Sequence, residues 1–327
     1  MGAERTSRWR AAVAGQAVGL ARTLALGYVL FFWSERAFWS FLRPGDEVRD
    51  LAMTWIAYSL LAAIAMALAR TYRAATQGAV FLVGAVYGWL AEGAIVDTLY
   101  GGSDNPFPLS ISWTGLAWHA LLTVGLGWVW TGTALKARNA RAIAGRSAAL
   151  GAGWGFWAVW WPNEAGASFS TTPSAFAVHA LGFGVPLAAA WWVLGRLPAP
   201  AGAPSLRERV ALLLLVAAFL TLVRIPATPA AGVLLLPLLS LCWWGLRRLA
   251  PGEPAPDLVA RTTGGFGARE AALALATPAA AVAVYGSLAW TRLPANVALY
   301  LVTTPLGFWM LGRALWRAAR RSPSAAV

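Results

Sequence analysis

The sequence predicts an all-α fold, a polytopic bundle of about ten helices embedded in a membrane, and three observations carry that prediction. Charged residues make up only 12% of the 327-residue chain, about half of what a soluble domain carries. Long apolar stretches without charge recur from end to end, and the basic residues fall on alternate connections between them. That composition excludes a soluble enzyme. The single cysteine, Cys242, excludes a disulfide scaffold.

A helix crossing the hydrocarbon core needs about 20 mostly apolar residues. Its backbone polar groups are then satisfied internally, as lipid requires. Ten stretches fit in order. The first, 18–42, is interrupted by Arg22, Glu35 and Arg36. The next two, 51–69 and 78–99, are apolar almost throughout, and 110–134 is rich in tryptophan. Residues 147–161 and 210–223 are short for a crossing. The remaining stretches are 174–195, 231–246, 271–290 and 297–316. They read as five hairpins in one transmembrane domain, 1–327. Residues 1–17 lead in, 18–197 form the first six helices, 198–316 form the last four as two repeated hairpins, and 317–327 are a basic tail.

Charge orients the chain. With the N-terminus in the cytoplasm, 20 of the 26 basic residues fall on the cytoplasmic side, from Arg5 to Arg321. The opposite side holds only Arg43, Arg49, Arg224 and Arg292. Lys and Arg are retained inside near span ends, so both termini are expected in the cytoplasm of a cell, with a bacterial inner membrane as the setting. The net charge of +13 then needs no nucleic acid, because basic juxtamembrane segments meet anionic headgroups. The expected partners are membrane lipids and a small-molecule or lipid substrate.

Several spans repeat one another. Pro186-Leu187 precedes Trp191-Trp192 and Arg196; Pro237-Leu238 precedes Trp243-Trp244 and Arg247; Pro305-Leu306 precedes Trp309 and Arg313. Upstream, Arg224-Ile225-Pro226-Ala227 matches Arg292-Leu293-Pro294-Ala295. Proline kinks and interfacial tryptophan account for this pattern, as would duplication of an ancestral hairpin. The pairs Gly15/Gly19, Gly84/Gly88 and Gly151/Gly155 have the spacing that lets membrane helices approach closely.

Ionisable side chains inside hydrocarbon usually face a partner or a cavity. At 1.5 Å per residue, Glu35 and Glu92 lie roughly 10 Å below the outer ends of their spans, His119 about 13 Å, His179 about 8 Å and Asp97 about 3 Å. Glu164 falls in an outer loop. These six residues, which include both histidines of the chain, are the candidate substrate- or proton-binding set. A carboxylate beside an imidazole in low dielectric can share or relay a proton. The spacing contains no metal-ligand box, so no metal or cofactor is expected. No Walker sequence and no GxSxG elbow is present either. On the outer rim Arg43, Arg224 and Arg292 are candidates for holding an anionic headgroup, or simply snorkel to the interface. The composite expectation is a secondary transporter or permease for a small or amphiphilic substrate. The alternatives are an intramembrane enzyme acting on a lipid or lipid-linked substrate at the outer leaflet, and a non-catalytic assembly subunit.

Overall fold

The computed structural model describes residues 2–42, 45–102, 105–160, 172–200, 202–251, 256–291 and 293–321, with side chains from Val13 onward. Among these residues the protein is helical throughout, with no strands, and each of the ten apolar stretches lies on a helix. We number them α1 (2–39), α2 (Val48–Thr71), α3 (Gln77–Ile95), α4 (110–136), α5 (Ala140–Ala158), α6 (Pro173–Arg196), α7 (Leu206–Ala227), α8 (Ala230–Leu249), α9 (Leu258–Thr262), α10 (Ala268–Thr291) and α11 (Ala295–Arg320). The short α9 lies in the connection before α10.

Among the described residues, eight helices are long and apolar enough to cross a membrane: α1, α2, α3, α6, α7, α8, α10 and α11. The chain is thus a multi-pass helical membrane protein. The other two stretches, in α4 and α5, are helical but less hydropathic, being rich in Trp, Gly and, in α5, Arg.

Several helix ends are written in the sequence. Thr76, Thr172 and Ser205 cap α3, α6 and α7 through side-chain oxygens that accept from the N–H three residues on, and Asn139 does so for α5. Such capping satisfies one of the orphan donors of the first turn. Helix α1 stops where Ser40 turns left-handed, at φ 60°.

The centre of the bundle is α3, which packs against α2, α4, α8 and α11. It is 89% buried over its most apolar stretch, whereas α7 is 6% buried. Helix α7 therefore meets its own molecule at its ends and, between them, mainly through Val216 and Leu220. Glycine makes the two closest pairings. A Cβ at Gly84 would lie 2.8 Å from the Ala120 Cα, and one at Gly88 would strike the Gly115 carbonyl and sit 2.8 Å from the His119 Cβ, so α3 lies flush on α4. A Cβ at Gly151 or Gly155 would meet the carbonyls of Thr277 and Ala281, which brings α5 against α10. Nothing lies within 4 Å at Gly15 and Gly19; that pair makes no helix contact.

Among the described residues four segments wind as π-helix: Phe32–Arg36 in α1, Leu90–Ile95 at the end of α3, Trp113–Trp130 in α4 and Leu220–Arg224 in α7. Such winding is rare, and frequently marks functional sites.

Candidate functional site

Three of those π segments, in α1, α3 and α4, meet near one end of the bundle, and they carry the buried Ser34, Arg36, Glu92, His119 and Thr123. On α3, Glu92 is buried; on α4, His119 is 2% exposed. Glu92 Oε1 and His119 Nε2 are 2.6 Å apart. The other ring nitrogen, Nδ1, lies 3.0 Å from the Ser34 hydroxyl of α1. Ser34 is also 2.8 Å from the Tyr87 hydroxyl on α3 and 3.4 Å from the Thr123 hydroxyl on α4. With Nε2–H donating to the carboxylate, Nδ1 accepts from Ser34, and Ser34 accepts from Tyr87. The single Ser34 hydrogen cannot also serve Thr123, toward which the Ser34 hydroxyl is placed to donate, so the His119 and Thr123 contacts are alternatives. The Thr98 hydroxyl, just beyond the end of α3, donates to the remaining Glu92 oxygen, Oε2.

Chemically this is a connected relay. Glu92 and His119 are in direct hydrogen-bond contact at 2.6 Å within the buried interior. A proton placed on the pair has a path of hydroxyls from His119 to Ser34, and from there to Tyr87 or to Thr123, one turn further along α4.

Glu35 stands beside the relay. It accepts from the Tyr58 hydroxyl (2.8 Å) and from the Trp39 indole (3.1 Å). The Tyr58 ring lies 6.4 Å from the His119 ring and 6.1 Å from that of Tyr87. The next residue, Arg36, is buried, with its guanidinium 3.4 Å from Asp46 and 3.8 Å from Glu35. It also lies over the rings of Phe31 and Phe183 at 5.5 and 5.3 Å. His179 of α6 is on the far side of α1. Its Nε2 donates to the Arg36 carbonyl at 2.9 Å, and its Nδ1 is buried without a hydrogen bond.

The structure therefore brings Glu92 and His119 into direct contact, sets Glu35 next to them through Tyr58, and ties His179 to the same π segment from behind. Asp97 is exposed on the connection after α3. Arg224 donates to the carbonyls of Ala94 and Ile95 at 2.7 and 2.5 Å. Those are the last carbonyls of the segment that carries Glu92, so here the guanidinium closes a helix end. Tyr100 secures the same turn by donating to the Gly93 carbonyl at 2.7 Å. Burial holds the Tyr100 phenol above its ordinary range; Arg224 works against that and Asp97 adds to it. Glu164, Arg43 and Arg292 lie outside the described residues.

Sequence reasoning missed Ser34, Tyr58, Tyr87, Thr98 and Thr123. The signal was present in part: Tyr58 and Tyr87 are hydroxyls deep in otherwise apolar stretches. Among the described residues no group of three or more His, Cys, Asp or Glu side chains is placed to hold a metal ion. Comparison of the chain with protein-family models, with curated proteins and with solved structures gives no match.

Proposed function

We propose that the chain is a proton-linked permease in which Glu92 and His119 form the proton-binding site. One observation carries this reading: a buried carboxylate and imidazole in contact at 2.6 Å, with the second imidazole nitrogen on a hydroxyl chain. Glu92 sits at the end of α3 beneath the exposed Thr98, which gives the pair access to one face of the membrane. Thr123 lies deeper, on the relay's other end. A proton bound at the pair changes the hydrogen bonds of α1, α3 and α4 together, and so couples its arrival to the relative position of three helices. A small or amphiphilic substrate fits this scheme, and Glu35, against Tyr58, is the second acid it would meet.

The test is transport in cells or proteoliposomes at two external pH values, with a panel of small metabolites. Glu92→Gln is expected to insert normally and to abolish the pH-dependent component of uptake or efflux. Equal pH dependence in wild type and Glu92→Gln would remove the mechanism.

A second reading is favoured by the order hydroxyl, imidazole, carboxylate in Ser34, His119 and Glu92. That order is the one by which a serine is activated as a nucleophile, here toward an ester or lipid-linked substrate. The two readings diverge at Ser34. Under the permease reading, Ser34→Ala slows pH-linked transport without ending it. Under the enzyme reading, it ends turnover and removes labelling by a serine-directed phosphonate.

A further inference from the structure

We propose that the opposite end of the bundle holds a built binding site for one anionic phospholipid, in a cleft between α3, α4 and α11. Two adjoining cavities form it, of about 260 and 320 Å³, and both are bordered by Gly78 and Arg317. The deeper part is apolar, lined by Phe81, Leu121, Leu306 and Met310. Leu121 lies near the middle of α4, so this part reaches roughly half-way through the bilayer. From Leu306 to Arg317 is eleven residues of helix, or about 16 Å, the reach of an acyl chain in one leaflet.

The shallow part is cationic. Arg313 and Arg317 border the first cavity, and Arg317, Arg320 and Arg321 the second. Among the described residues none of these four guanidiniums pairs with a carboxylate, and no acidic side chain lines either cavity. Two of them are held in place by tryptophan one turn away: Arg313 over Trp309 at 5.0 Å, and Arg320 over Trp316 at 4.1 Å. Arg321 is fixed by donating to the Leu249 carbonyl at 3.1 Å. An indole beneath a guanidinium orients the cation without neutralising it.

Gly78 borders both parts of the cleft. A Cβ there would sit 3.4 Å from Leu249 and 3.5 Å from Ala314, in the gap where the two cavities join. Unneutralised, oriented guanidiniums above a half-bilayer apolar slot match a ligand with a phosphate head and a hydrocarbon tail. Basic surface alone would attract headgroups without a slot, and a free phosphate would not use one. Basic pockets between membrane helices on the cytoplasmic side bind such lipids, and the charge asymmetry of the chain puts this end inside.

The experiment is native mass spectrometry of the full chain released from nanodiscs containing equal phosphatidylglycerol and phosphatidylcholine, with 31P analysis of the extracted lipid. Wild type is expected to retain about one phosphatidylglycerol per chain through a high-salt wash, since surface attraction alone is screened by salt. The triple variant Arg313→Ala/Arg317→Ala/Arg320→Ala is expected to lose retention at least tenfold. Arg207→Ala/Arg209→Ala, which removes two exposed arginines at the start of α7, should retain the lipid as wild type does. Leu306→Trp narrows the slot while leaving every arginine, and should lower retention as well. Added inorganic phosphate should not displace the bound lipid. The proposal fails if the triple variant retains lipid unchanged, if the Arg207/Arg209 variant loses as much as the triple variant, if phosphatidylcholine is retained equally, or if inorganic phosphate displaces the ligand.

Discussion

Ser34 is one small side chain on α1 that joins the imidazole of His119, the phenol of Tyr87 and the hydroxyl of Thr123. Removing its oxygen leaves two buried groups, His119 Nδ1 and the Tyr87 hydroxyl, each short of a partner. A buried polar group left unpaired costs about 1–3 kcal/mol. Ser34→Ala should therefore lower the thermal midpoint of the purified protein by several degrees, and a midpoint equal to wild type would mean that the hydroxyl carries no structural weight. The acid and the base of this site were legible from residue type and depth: with two histidines in the chain, a carboxylate at matching depth on a neighbouring span is an obvious partner. The hydroxyls were not legible. Serine, threonine and tyrosine are common in apolar spans, and the depth of a residue does not say which way around the helix it points. The π winding of Phe32–Arg36 and Trp113–Trp130 made this worse, because it rotates side chains away from the 3.6-residue register on which such a reading rests. Arg224 is a case of another kind. Its position at an outer rim suggested either a headgroup or the interface itself as its partner, and the structure adds two internal carbonyls.

At the scale of elements, glycine spacing identified two real contacts and one that does not exist. Gly84/Gly88 and Gly151/Gly155 are closed against neighbouring backbone, and Gly15/Gly19 lie open. The three pairs are alike in sequence; what separates them is whether a partner helix faces that side, which a single span cannot reveal. Gly151→Ala/Gly155→Ala should destabilise the bundle by several kcal/mol, at about 1–3 kcal/mol for each overpacked position, and reduce the yield of monodisperse protein. Gly15→Ala/Gly19→Ala should leave both unchanged. Thermal unfolding and size-exclusion profiles of the two double variants distinguish the cases, and equal behaviour would contradict the packing described. The repeated Trp-x-x-x-Arg pattern has an explanation at this scale. In α6, α8 and α11 the arginine lies over the tryptophan one turn back, at 5.8, 4.9 and 5.0 Å. In α6 and α8 this pair lies at the helix end; in α11 it lies two turns earlier, and Arg320 over Trp316 repeats it at the end. Pro186, Pro237 and Pro305 sit inside the same three helices, as neighbouring membrane helices allow.

For the whole molecule, hydropathy and charge alternation were enough to predict an embedded helical bundle. The crossings by α4 and α5 rest on weaker hydropathy, and labelling tests them. Cys242 is fully buried, so introduced cysteines report without background. An impermeant maleimide on intact cells is expected to label Val48→Cys and Ala227→Cys and to spare Arg141→Cys and Arg207→Cys. Labelling at position 141 would reduce the count to eight crossings, and labelling at 207 with protection at 227 would invert the orientation. Helix α7 closes the picture. One end is held where Arg70 approaches Glu208 at 3.7 Å, the other where Arg224 grips the turn after Glu92, and between them Leu213, Leu214 and Leu222 face outward. Apart from the buried Leu220 and the partly buried Val216, this strut answers to the fluid around it and not to any neighbour's shape. Its outward-facing apolar residues are therefore interchangeable among themselves, while its length and its fastenings are not.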